Sequence, residues 1–116
     1  MDKGSIPINN KYELEFRYYK RDNSYKYFNR KFEVFLLKKK ILGRDYIMHM
    51  DNSDKSKIMP DVYKGPNGNQ RMDLGLSTLN WNDIKNNFLD FIVEEIGREE
   101  KEKAKKAINK LSSPKI

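Results

Sequence analysis

The chain of 116 residues has no cysteine at all. That removes disulfides, thiolate metal sites and cysteine nucleophiles together, and it suits a reducing cytoplasm. Histidine is almost as scarce. His49 stands alone, with no second His or Cys to complete a metal site, so a structural role is expected of it. No apolar run approaches the roughly 18 residues of a membrane span, and the opening MDKGSIPINN has no apolar core of signal-peptide type. A membrane partner is therefore not expected. KGPNGN lacks the Lys-Ser/Thr of a phosphate loop, and nothing pairs a nucleophile with a base. Asp51, Asp54 and Asp61 fall in a stretch punctuated by Pro and Gly, where solvated turn carboxylates are the plain reading. Neither catalysis nor a cofactor is expected.

Apolar residues are also few, at 37%, whereas charged residues reach 35%. The apolar residues nevertheless cluster, which predicts one small folded domain with polar edges and not a disordered chain. Abundant Lys and Asn fit an AT-rich bacterial or phage genome.

What the chain does have is positive charge, unevenly placed. Of the net +7, residues 1–50 contribute +6 and residues 51–116 only +1. Between Arg17 and Arg44 stand ten cations against Asp22 and Glu33. Such a balance points first to nucleic acid as a partner, then to an acidic protein or an anionic membrane. The cations coincide with rings: FRYYKRDNSYKYFNRKF, residues 16–32, holds seven aromatic residues and six Lys or Arg. Ring faces stack on bases while Lys and Arg follow phosphates, a combination suited to single strands. A sheet with a packed front and a solvated back would show the same composition.

Periodicity predicts the architecture. Tyr12, Leu14, Phe16 and Tyr18 alternate with Glu13, Glu15, Arg17 and Tyr19, the period of a strand. Asp22-Asn23-Ser24 is turn chemistry, and a second strand is expected within 25–38. Its centre FEVFLL is apolar on both faces, which predicts a strand covered on two sides. Lys38, Lys39 and Lys40 end it, Leu42-Gly43-Arg44 offers a turn, and Tyr46–Met50 reads as a third strand. Residues 51–69 read as a long loop and Gln70–Leu76 as a fourth strand. The period then changes: Trp81, Ile84, Phe88, Phe91, Ile92 and Ile96 form one helical stripe, with Asn80 as N-cap and Asp83 in the first turn. Ala104, Ala107, Ile108 and Leu111 form a thinner second stripe in a segment of mixed charge.

The segment Leu74 to Lys85, LGLSTLNWNDIK, resembles the last strand and helix start of the single-stranded DNA-binding coactivators called positive cofactor four, and PUR and Whirly-type domains are similar in running strands into a C-terminal helix. That resemblance implies a curved antiparallel sheet holding single strands, with helices that help form a homodimer. Trp81 and Ile84 carry over as packing residues. The chain departs from the pattern at Leu79, in the loop at 51–69 and in the extension 98–116.

The expected protein is thus α+β: about four mostly antiparallel strands, then an amphipathic helix on one sheet face. Residues 1–11 form an arm, 12–97 the domain and 98–116 a charged helical tail. Arg17, Lys20, Arg21, Lys26, Arg30, Lys31 and Lys38 are expected on phosphates, with Tyr19, Tyr25 and Tyr27 stacking on bases. The rival is a small inhibitor or adaptor whose basic face docks on an acidic or nucleic-acid-processing protein.

Overall fold

In the computed structural model, residues 2–21, 30–52, 60–74 and 80–113 are described, with backbone but not side chains for Lys20, Arg21, Arg30, Lys31 and Asp73. Six strands form one antiparallel sheet in chain order: β1 (Asp2–Pro7), β2 (Tyr12–Arg21), β3 (Arg30–Lys39), β4 (Arg44–Asp51), β5 (Asp61–Lys64) and β6 (Gln70–Asp73). Two helices follow, α1 (Trp81–Ile96) and α2 (Lys101–Ile108). The α+β class is as expected, but the sheet is larger than the sequence suggests.

The alternation along β2 and β3 decides which face is buried. Leu14, Phe16 and Tyr18 pair directly with Leu36, Val34 and Phe32, and this inward row continues through Met48 and Met50 of β4 to Val62 of β5. Leu14, Val34, Leu36, Met48, Met50 and Val62 are wholly buried. Helix α1 covers this face. The Asn80 side chain accepts from the Asp83 backbone N–H, so the cap satisfies a donor that the first turn leaves orphaned. Of the stripe, Ile84, Phe88, Ile92 and Ile96 are buried and Trp81 and Phe91 half-buried, and Leu89, outside it, is buried as well. Trp81 meets Phe32 edge-on at 5.3 Å between centroids, and Ile84 is fully buried, so both pack as expected.

Three segments differ from expectation. Asp2–Pro7, read as a loose arm, is β1, paired with β2 from Asp2↔Tyr18 to Pro7↔Glu13. Gly4 permits that approach, because a Cβ there would sit 2.6 Å from Phe16 Cζ. A glycine reads as loop in sequence, yet here it makes room for a ring on the neighbouring strand. Asp61–Lys64, read as loop, is β5; a four-residue strand gives too short an alternation to be seen. The segment after Gly97, read as a tail, turns back as α2. Ala104, Ala107, Ile108 and Leu111 belong to the same buried cluster as the sheet. Two bonds fasten its end: Tyr18 donates to the Ser112 carbonyl at 2.6 Å, and Trp81 Nε1–H donates to the Leu111 carbonyl at 3.2 Å. The stripe reads as thin in sequence because the small alanines carry little hydrophobicity, although they let the helix approach closely.

Candidate nucleic-acid interface

The sheet face away from the helices bears two of the candidate residues. Arg17 and Tyr19 lie there, as alternation predicts, opposite in phase to Phe16 and Tyr18. Beside them runs a row of stacked groups across four strands. The Arg17 guanidinium lies 5.0 Å from the centre of the Phe35 ring. Phe35 stacks on His49 at 5.0 Å, and His49 stacks on Tyr63 at 4.9 Å with 15° between planes. Phe35, His49 and Tyr63 are direct cross-strand neighbours, the closest side-chain relation a sheet provides. This row explains the two-sided apolar character of FEVFLL. The outward Phe35 is covered by its neighbours' side chains, where a second covering layer had been expected.

A bulge completes the arrangement. Leu36 pairs with Met48 but Leu37 pairs with Tyr46, so Ile47 is an extra residue in β4. Strict alternation would put Tyr46 and His49 on opposite faces; the inserted residue turns Tyr46 onto the same face as His49. Its hydroxyl then lies 2.8 Å from His49 Nδ1 and donates to the Tyr63 carbonyl at 2.8 Å. His49 Nε2 lies 2.9 Å from an Asp51 carboxylate oxygen. Gly68, at φ 68°, closes over the pair; a Cβ there would lie 2.8 Å from the Tyr46 oxygen. His49 thus has both faces stacked and both nitrogens bonded.

Carboxylates are more prominent on this face than the sequence suggests. The register aligns Glu33, Asp51, Asp61 and Asp73 on one line across β3 to β6, with Arg17 at its β2 end. Asp51 and Asp61, expected as solvated turn residues, are 7% and 2% exposed. They are strand residues with close partners: His49 Nε2 for Asp51 and the Arg71 guanidinium, through Nε at 2.9 Å, for Asp61. Asp54 lies outside the described residues. Among the described residues no group of acids and His is gathered closely enough to hold a metal ion.

These acids neutralise the middle of the face. Arg17 pairs with Glu15 at 2.9 Å, and Arg44 pairs with the buried Glu13. Burial works against the charge on Arg17, but bonds to Glu15 and Tyr19 outweigh it and hold the proton more tightly than usual. Tyr19 donates to Glu33, and that bond, with burial, raises its hydroxyl above the ordinary tyrosine value. Burial, reinforced by the Asp51 charge, pushes Tyr46 up to about 12.

The remaining expected contacts divide by position. Lys20 and Arg21 end β2, Arg30 and Lys31 begin β3, and Arg21 stands directly opposite Arg30. Tyr25, Lys26 and Tyr27 lie outside the described residues. Lys38 is not with them. It follows Val34 and Leu36 in the inward phase and lies seven residues from Lys31, about 23 Å along the strand. Phe35, Tyr46, His49, Tyr63 and Arg71 were not foreseen as one cluster. Outward alternation marks Phe35 and His49, but the bulge and the short β5 leave no sequence signal. No family model, curated protein or solved structure matches the chain.

Proposed function

We propose that this protein is a non-catalytic module for single-stranded nucleic acid, DNA or RNA, gripped at the Arg21–Arg30 end of the β2–β3 pair. The reading rests on one observation: Arg21 faces Arg30 across the strands, flanked by Lys20 and Lys31. Like charges directly opposite one another destabilise a sheet. A polyanion lying across that end turns the repulsion into attraction, and Lys26 extends the same cationic stretch. Tyr19 is the described ring of that stretch, and Tyr25 and Tyr27 belong to it in sequence. In this reading the stacked row from Phe35 to Tyr63 stiffens the platform and does not itself bind bases, since its ring faces are already occupied.

The test is the affinity for an unstructured oligonucleotide as a function of salt. Counterion release gives a log–log slope of roughly −0.7 per phosphate contacted. Replacing Arg21 and Arg30 by Gln makes the slope shallower by about 1.4, and Tyr25→Ala with Tyr27→Ala weakens binding without changing it. Negligible affinity near physiological salt overturns the reading.

A second reading is a small inhibitor or adaptor that docks on an acidic or nucleic-acid-processing protein. It is favoured by the pairing of Arg17 and Arg71 with carboxylates, which leaves the centre of the face poorly suited to phosphates. Under that reading the Arg21 and Arg30 changes abolish capture of a protein partner from nuclease-treated lysate, and oligonucleotides do not bind.

A further inference from the structure

The end of the sheet opposite the Arg21–Arg30 pair carries a different feature. The connection between β3 and β4 is four residues, closed by a bond from the Lys40 N–H to the Gly43 carbonyl at 3.1 Å, with Gly43 at φ 81°. Its two central residues are Ile41 and Leu42, exposed at 102% and 88%. Turn geometry does not call for them. Tight turns favour Gly, Asn, Asp and Ser, and a β-branched residue is a poor choice for a turn. Nor does the core use them, although every other large aliphatic side chain among the described residues is buried or half-buried. A rule of local structure is broken here with no gain inside the fold, and such places are where function is expected.

Charge surrounds the pair. Lys38, Lys39, Lys40 and Arg44 flank it in sequence. A backbone bond from Lys39 N–H to the Lys11 carbonyl at 2.7 Å joins it to the turn between β1 and β2, which brings Lys11 to the same end. Asp45 holds Lys40 and Glu13 holds Arg44. Among the described residues no carboxylate holds Lys11, Lys38 or Lys39. Two bare aliphatic side chains therefore project from a rim with a surplus of positive charge.

We propose that this tip docks on an anionic lipid bilayer, with Ile41 and Leu42 entering the headgroup–acyl boundary and Lys11, Lys38 and Lys39 resting on the anionic headgroups. The shape and the charge select this occupant. A projection needs a partner that opens around it, and a bilayer does so without a preformed groove. Anionic headgroups attract the lysines within a Debye length of the surface. A second copy brings the same surplus of positive charge to the contact, and two side chains fall far short of the roughly 800 Å² per partner of a stable interface. Nucleic acid gains from flat rings, which Ile and Leu lack. That no membrane partner was expected followed from the lack of a spanning run; surface docking needs none.

The test is flotation of the full chain with vesicles of phosphatidylcholine alone, or phosphatidylcholine mixed with phosphatidylglycerol, at low and physiological salt. The expected result is binding to the mixed vesicles only, weakened by salt. Ile41→Asp and Leu42→Asp each lower partitioning by about tenfold. Lys11→Gln, Lys38→Gln and Lys39→Gln each lower it by about fivefold. Lys11, Lys38, Ile41 and Leu42 are exposed and Lys39 is half-buried, its ammonium donating to the Asn9 carbonyl at 3.4 Å; an unchanged thermal transition verifies that the variants fold. The proposal is overturned by no binding to mixed vesicles at low salt, by binding indifferent to Ile41 and Leu42, or by concentration-dependent self-association abolished by the same tip changes. Oligonucleotide binding that depends on Ile41 and Leu42 also overturns it. The Arg21→Gln, Arg30→Gln pair lies at the other end of the sheet and leaves vesicle binding intact, so this test and that of nucleic-acid binding fail independently.

Discussion

Single side chains on this sheet are tied to their protonation states. Burial raises the Tyr18 hydroxyl above the value of 10.0 it has when free, and burial with the Asp51 charge lifts Tyr46 to about 12. Both raised values mean that the folded chain keeps a proton the unfolded chain gives up. The stability they contribute is complete below about pH 10 and is lost progressively as pH rises towards 12 and beyond. Urea midpoints at about pH 9, 10.5 and 11.5 should therefore fall steeply over the last two points. In Tyr46→Phe the fall should be shallower, because one of the raised hydroxyls, Tyr18, Tyr19 and Tyr46, is gone. A midpoint unchanged across that range would mean that none of these hydroxyls is protected.

At the scale of elements, β1 and the β4 bulge show how much depends on one residue. Gly4 lies under the Phe16 ring, with 2.6 Å between a built Cβ and Cζ. Gly4→Ala must push that ring against Tyr18, whose centroid is 5.3 Å from Phe16. The cost should be ~1–3 kcal/mol, as for other overpacked sites, and a thermal denaturation series reads it directly. Indifference to the change would mean that β1 is not held in this register. The sequence made β2, the centre of β3 and α1 legible, because each repeats its period over several residues. Asp61–Lys64 offers two repeats at most, and β1 mixes Gly, Ser and Pro with a single buried Ile6. Neither contains enough pattern to outweigh its loop-like composition.

For the whole molecule, the two helices and the sheet share one core. Phe88 of α1 and Ile108 of α2 are both wholly buried within the same cluster. Ile108→Ala should cost ~2–5 kcal/mol, the penalty for a large-to-small change in a core and not for a tail. Truncation after Gly97 removes Ala104, Ala107, Ile108 and Leu111 together, and with them the carbonyls that hold Trp81 and Tyr18. Against a total of ~5–15 kcal/mol that loss should abolish cooperative unfolding. A truncated chain with a sharp transition near that of the full chain would restore 12–97 as the self-sufficient unit.

What the amino-acid sequence determined by itself is local: the inward face of β2, the helical stripe and N-cap of α1, the absence of thiol chemistry, and the crowding of cations and rings in residues 16–32. These follow from side-chain type and spacing along the chain, and no distant partner is needed to state them. Tertiary structure alone decided which charges remain available. Glu13 lies 31 residues from Arg44 and Asp61 lies 10 from Arg71, and pairing between strands brings each acid to its partner. The bulge at Ile47 likewise joins Tyr46 to His49 against the alternation of their own strand. Cross-strand register is a property of pairs, so neither chain segment carries it alone.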